Sequence, residues 1–389
     1  MTRAATPHAG HIFARVAAIG LVVAVLATCS NAAPTLGPTS SPTSSPSHAP
    51  TAATTESTAS PSPTGSATES PSIPSSPSGP ASTPKPQVAR SLSPVSSNQA
   101  AKATASPQLS GPVPPPPKPG VIVSIVAAGD IACDPAQNLG APNDCDQAAT
   151  ADLVGQLNPT AVLTLGDDQY QNGTLAGFQS VFGTTWGKYR SIMYPAIGNH
   201  EYLTKGAAGY FGYFGVSAYY SLSLGDWHMI SLDSECSYVG GCQAGSPQER
   251  WLLADLAAHP SKCTLVYWHE PRFSSGEHLD ARQMDTIWRD LVAAHVSVVL
   301  SGHNHDYERF APLGATGAAD STGVTEFVVG TGGKNHYGFV RAPLAGEVVR
   351  NDTAFGVIDM TLGPASYSWK FVSAPGYTFT DSGSANCVG

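Results

Sequence analysis

Charge is scarce in this sequence: Asp, Glu, Lys and Arg make up only 12% of the 389 residues, and no run of Lys and Arg occurs. Nucleic-acid surfaces need clustered positive charge, so a nucleic-acid partner is disfavoured, and the formal net charge of -9 agrees. Long apolar runs are also missing. The run from Val16 to Ala27 is too short to span a bilayer comfortably and has the length of a signal h-region. No Cys-x-x-Cys pair is present, which argues against a structural zinc knuckle. Aromatic residues are nearly missing from the first third, where Ser, Thr, Pro and Ala dominate. Such a composition cannot bury enough apolar surface to offset its ordering entropy. No internal repeat is visible.

These contrasts divide the chain into three parts. Residues 1–33 read as an export signal, with Arg3 and Arg15 ahead of the apolar run. Leu26-Ala27-Thr28-Cys29 resembles a bacterial lipobox, which makes Cys29 a candidate lipid anchor. Thr28 departs from the usual Gly or Ala there; cleavage around Asn31-Ala32-Ala33 is an equal alternative, and an uncleaved membrane anchor comes third. Residues 34–119 carry repeated Ser-Pro and Thr-Pro steps and end in Pro114-Pro115-Pro116-Pro117, the composition of a disordered spacer. Residues 120–389 hold nearly all the aromatic, charged and metal-capable side chains and form the expected folded domain. The expected location is exported, either secreted or tethered to the outer face of the membrane or wall. No protein partner is implied.

Six cysteines lie beyond Cys29: Cys133, Cys145, Cys236, Cys242, Cys263 and Cys387. An even set in an exported domain suggests disulfides, and six allow fifteen pairings. Proximity along the chain favours Cys133 with Cys145 and Cys236 with Cys242, leaving Cys263 for Cys387.

From Val121 onward, β-branched runs alternate with helical stretches. Strands are expected over Val121 to Ala128, Ala161 to Leu165, Ser191 to Ile197, Tyr219 to Leu224, His228 to Leu232, Thr264 to Trp268, Val296 to Leu300 and Glu326 to Val329. Helices are expected from Asp146 to Leu157, from Ser246-Pro247-Gln248-Glu249, and from Asp280-Ala281-Arg282-Gln283. His259 and His295 fall at the ends of the last two and read as favourable charges at helix C-termini, not as ligands. Past Glu326 the pattern is strands alone. The fold class is therefore α/β with a mixed sheet arrangement.

Five short motifs follow expected strands, in one order: Gly129-Asp130, Gly166-Asp167-Asp168-Gln169-Tyr170, Gly198-Asn199-His200-Glu201, His269, and Gly302-His303-Asn304-His305. Ligand sites in α/β sheets gather at the carboxyl ends of strands, so these side chains can converge. Carboxylates, imidazoles, one amide and one phenol suit hard and borderline cations. Singly each motif is weak; together, in order, they leave chance a small share.

The order resembles the metallophosphoesterase superfamily. Tyr170 in Gly-Asp-x-x-Tyr narrows the resemblance to the purple acid phosphatases, as does the Tyr307-Glu308-Arg309 tail after His305. Gly330-Thr331-Gly332-Gly333 is similar to a glycine-rich loop of that family, whereas Ala132 stands where the first motif often has Gly. The resemblance implies a sandwich of two mixed β-sheets flanked by helices, over about Val121 to Val372. It implies two metal ions: Asp130, Asp167, Tyr170 and His305 on one, and Asp167, Asn199, His269 and His303 on the other, with Asp167 bridging. The first would be Fe(III), because a phenolate ligand needs a strongly Lewis-acidic ion, and the second Zn, Mn or Fe(II). His200 matches a phosphate-contacting histidine by motif, and His278 does so only by its distance from His269. The implied activity is hydrolysis of small phosphate monoesters by metal-bound hydroxide. A phosphodiesterase or nucleotidase on the same metals, or a surface-tethered binding protein with degenerate activity, are the alternatives.

Overall fold

The computed structural model describes residues 118–134 and 145–389. The expected export signal, Cys29 and the spacer as far as residue 117 lie outside the described residues. No helix among the described residues is long and apolar enough to cross a membrane.

The first half alternates strand and helix. In chain order come β1 (Val123–Ala128), α1 (Gln147–Leu157), β2 (Ala161–Leu165), α2 (Leu175–Ser180), β3 (Met193–Ala196), α3 (Asn199–Tyr202), α4 (Ala208–Phe214), β4 (Tyr220–Leu224), β5 (Trp227–Ser231), α5 (Pro247–Ala258), β6 (Cys263–Tyr267), α6 (Asp285–Ala293) and β7 (Val298–Ser301). Strands alone follow: β8 (Tyr307–Phe310), β9 (Thr325–Val329), β10 (Glu347–Asn351), β11 (Gly356–Leu362), β12 (Ser366–Ser373) and β13 (Ser382–Asn386).

They form two mixed sheets, one of six strands in the order β13-β12-β11-β1-β2-β3 and one of seven in the order β10-β8-β9-β7-β6-β5-β4. In the first, β1, β2 and β3 are parallel and β11 to β13 antiparallel. In the second, β5, β6, β7 and β9 are parallel. Side-chain alternation assigns each face. Leu265 and Tyr267 join the core shared with Ile125, Leu163 and Tyr194 of the first sheet. Val266 points the other way, into a second cluster with Leu252 of α5 and Ile287, Trp288 and Leu291 of α6. Both faces of this parallel region are covered, which is why its strands read as continuous apolar runs.

Ser246 caps α5 as its sequence predicts, accepting from Glu249 N at 3.3 Å, with Pro247 in the first turn. Asp280 does not cap α6. That helix begins at Asp285 after a 3₁₀ turn over Arg282–Met284. The Asp280 carboxylate instead pairs with Arg341 and accepts from Ser274 N at 3.3 Å. An ion pair from a distant segment has taken the side chain that local spacing assigned to the cap. The cysteines pair as Cys133–Cys145, Cys236–Cys242 and Cys263–Cys387.

Candidate metal centre

The motif residues leave the carboxyl ends of β1, β2, β3, β6 and β7, so both sheets contribute to one rim. Backbone hydrogen bonds lock the departing loops together: Asp130 N donates to Gly166 O at 3.0 Å, Gly302 N to His269 O at 2.9 Å, and Gly129 N to Val329 O at 2.9 Å. The last joins the first sheet to the second. Three non-glycine residues here hold left-handed backbone, Asp130 at φ 58°, Asp167 at φ 50° and His303 at φ 68°. Such conformations cost of order 1–3 kcal/mol each and persist where the surroundings over-determine them, as at functional sites. Gly166 has φ 85°, and a Cβ there would lie 2.6 Å from His269 Nδ1. The strand exit thus needs glycine both for its turn and for the closeness of the imidazole.

Two groups of donor atoms result. Tyr170 Oη lies 2.7 Å from Asp130 Oδ1, 3.0 Å from Asp167 Oδ2 and 3.0 Å from His305 Nε2. His269 Nε2 lies 3.3 Å from Asp167 Oδ2, 3.1 Å from Asn199 Oδ1 and 3.1 Å from His303 Nδ1. Asp167 Oδ2 belongs to both groups. Backbone carbonyls fix the histidine tautomers. His269 Nδ1 donates to Leu165 O at 2.8 Å and His305 Nδ1 to Asn335 O at 2.5 Å, so each Nε2 presents its lone pair inward.

At these distances the charges of the cluster act strongly on one another. Burial pushes the Asp130 carboxyl up, but His305 and then His269 outweigh it and hold it below the usual range. Burial also opposes ionisation of Asp167, yet His269, His200 and His303 hold it well below. His269 is raised by the Asp167 carboxylate despite its burial, whereas burial and the neighbouring His269 push His303 down to about 3. Burial, then the carboxylates of Asp130 and Asp167, push the Tyr170 phenol well above its ordinary value. Among the described residues, the ion-pair partners of Asp130 and Asp167 are imidazoles alone. Two buried carboxylates with no Lys or Arg partner, ringed by inward lone pairs, form a donor set that fits cations.

His200 and His278 flank these groups. His200 Nδ1 donates to Gln171 O at 2.5 Å, and its Nε2 lies 3.8 Å from Asp167 Oδ2. The loop carrying His278 folds onto the last motif, where His278 N donates to Asn304 Oδ1 at 2.8 Å. Its exposed ring sits 4.4 Å from the His303 ring, centroid to centroid. Thus the structure brings all nine sequence-selected residues to one rim. His336 lies beneath, its Nδ1 donating to His305 O at 2.8 Å.

Two further residues were given no role in the sequence reading. Tyr337 stacks on His305 with centroids 4.0 Å apart, and nothing in its local sequence marks it. Glu201 is fully buried and accepts from Asp167 N at 3.0 Å, Gly198 N at 2.9 Å and Gln169 N at 3.2 Å. It ties the Asp167 loop to the start of α3. Its signal was its place in the third turn position of a helix opening at Asn199, where a Glu reaches back to the first amides.

Residues 123–307 match the calcineurin-like phosphoesterase family model. This stretch, just under half of the chain, is similar to a calcineurin-like phosphoesterase domain. This domain spans both donor groups up to the end of the Gly302–His305 motif. Purple acid phosphatase 21 of Arabidopsis thaliana is 33% identical over 121 residues, covering 30% of this chain and 26% of that protein. Purple acid phosphatase 1 of Ipomoea batatas is 28% identical over 224 residues, covering 50% of this chain and 45% of that protein. The chain thus spans less than half the length of these curated relatives. A purple acid phosphatase from yellow lupin (Lupinus luteus) seeds superposes with a TM-score of 0.61 at 17% identity, over 70% of this chain and 55% of that one, a likeness of fold. A dinuclear metal site is what likeness to the calcineurin-like phosphoesterase family implies for this domain.

Proposed function

We propose that the chain is an exported, metal-dependent phosphoric ester hydrolase that acts on small phosphate monoesters. The observation that carries this reading is the sharing of Asp167 Oδ2 between two donor groups, one of which contains a phenol. Asp130, Asp167, Tyr170 and His305 would hold a ferric ion. Asp167, Asn199, His269 and His303 would hold Zn, Mn or Fe(II). Together such cations activate water and neutralise charge on the phosphoryl oxygens.

The chain's own residues supply the rest. Glu201 and the carbonyls of Leu165 and Asn335 orient the donors. His200 and His278 stand on the open side of the cluster, where an imidazole can bind phosphoryl oxygens or protonate a leaving oxygen. The domain proposed for this chemistry is residues 120–389, with the preceding segment a spacer behind an export signal. The three disulfides support an oxidising compartment.

Tyr170 is the test. A phenolate on ferric iron absorbs visible light, whereas histidine and carboxylate ligands to zinc or manganese do not. Protein expressed with iron should be violet to pink and hydrolyse an aryl phosphate. Tyr170→Phe should bleach it and lower turnover while keeping the fold. A colourless iron-loaded wild type whose metal content and turnover match those of Tyr170→Phe would refute the ferric assignment. Preference for diesters or nucleotides across a substrate panel would refute the monoester reading.

A further inference from the structure

A second group of metal-type donors lies at the opposite end of the sheet. His228 is the second residue of β5, and Asp255 and His259 lie at the C-terminal end of α5, which runs back to the start of β6. The metal centre described above uses the carboxyl ends of the strands. This group sits by their amino ends.

We infer that His228, Asp255 and His259 form a mononuclear site for a divalent transition metal of the zinc, nickel or copper kind. One ligand atom from each residue lies within 4.8 Å of the others. His228 Nε2 is 2.7 Å from Asp255 Oδ2, and His259 Nδ1 is 3.2 Å from Asp255 Oδ1. Tetrahedral zinc with bonds of about 2.0–2.1 Å sets its ligands about 3.3 Å apart, so small side-chain shifts suffice. Two imidazoles and a carboxylate suit a borderline ion better than Mg or Ca, which prefer all-oxygen sites.

Charge supplies the second reason. Asp255 is 2% exposed, and its ion-pair partners among the described residues are the two imidazoles. Neutral imidazoles leave a buried carboxylate without a compensating charge. The carboxylate also sits beside the last carbonyls of a helix, the negative end of its dipole. Ser221 Oγ donates to Asp255 Oδ1 at 2.7 Å and orients it, which adds no charge. A proton on His228 would leave Nδ1–H buried without an acceptor. A metal at Nε2 also requires hydrogen on Nδ1, but it sets two positive charges against the carboxylate where the proton sets one.

His259 is the adaptable ligand. Its side chain is 48% exposed, and its Nδ1 also lies 2.9 Å from Asp255 O. Binding through Nδ1 gives up that contact and turns Nε2–H toward water. The fourth position faces a surface cavity of about 260 Å³ lined by His228, His259, Ser223, Asp226 and Ser261, which admits a water ligand. Bound there, the ion would pin the end of α5 to β5.

Zinc content and anomalous diffraction at the zinc edge test this on full-length protein loaded with zinc and then dialysed. Wild type should hold one more zinc equivalent than His259→Ala, and an anomalous peak should lie among the three side chains. His259→Ala should retain wild-type phosphatase turnover, because none of the three touches the Asp167 centre. Asp255→Asn should lose the same equivalent, and circular dichroism checks its folding. Equal zinc content in wild type and His259→Ala, or no peak at this position, would overturn the inference. Metal at the Asp167 centre scatters at its own position, so failure there does not mimic failure here.

Discussion

Glu201→Gln isolates the scaffold beneath the metal centre. Both Glu201 oxygens accept backbone N–H groups, Oε2 from Asp167 and Gly198, and Oε1 from Gln169. An amide keeps one acceptor oxygen. Its best orientation turns that oxygen to the Asp167 and Gly198 pair, leaving an NH₂ facing Gln169 N. The bond from Gln169 N is then lost and that buried N–H is left without its acceptor. Leaving a buried donor unpaired costs about 1–3 kcal/mol, so the expected cost is up to about 3 kcal/mol. For a domain of this size that lowers the melting temperature by up to about 6–12 °C. The Asp167 loop should also shift, and a displacement of about 1 Å near reacting groups can reduce turnover about a hundredfold. Differential scanning calorimetry, metal analysis and turnover of an aryl phosphate measure the three effects. If Glu201→Gln melts with the wild type and binds and turns over as it does, the buried carboxylate does not organise the centre.

Asp167→Asn should remove metal from both proposed positions at once, whereas His305→Ala should spare the position built on His269; elemental analysis of each variant separates these outcomes. His200→Ala and His278→Ala should each lower kcat by about a hundredfold or more if they handle the leaving-group proton, with metal content unchanged. Breaking Cys263–Cys387 by Cys387→Ser should cost about 2–5 kcal/mol in denaturant unfolding, because that bridge ties the C-terminus to β6. A chain beginning at Pro119 should fold and keep its specific activity, and a folded but inactive truncation would place the spacer in the site. Burial lifts the Glu326 carboxyl from 4.5 to about 8, so the folded protein binds the extra proton between those values. Stability from this group therefore falls as pH rises through that window, and Glu326→Gln should flatten that part of a melting-temperature profile.

The sequence alone singled out the donor-type side chains that gather on one rim and the strands that deliver them. Parallel strands buried on both faces must be apolar and β-branched, so β2 and β6 stand out as runs, and a glycine with a polar side chain must follow where the chain leaves the sheet. Cysteine spacing similarly pointed to Cys133–Cys145 and Cys236–Cys242, because short loops keep their ends close, and elimination left Cys263 for Cys387. Solvent-facing strands with little apolar content were not legible: β10 and β13 present mixed or small polar residues, and their pairing with β8 and β12 defines them. Tertiary structure alone decided which side chains share an atom. Asp167 meets His269 only because β2 of one sheet and β6 of the other end on a common rim. It also took Asp280 from a helix cap into a pair with Arg341, and brought His228 against Asp255 across the strand–helix interface. Each of these contacts joins residues far apart in sequence, and local periodicity carries no record of them. They exist because packing two sheets and their helices around shared cores brings polar groups from distant segments against one another.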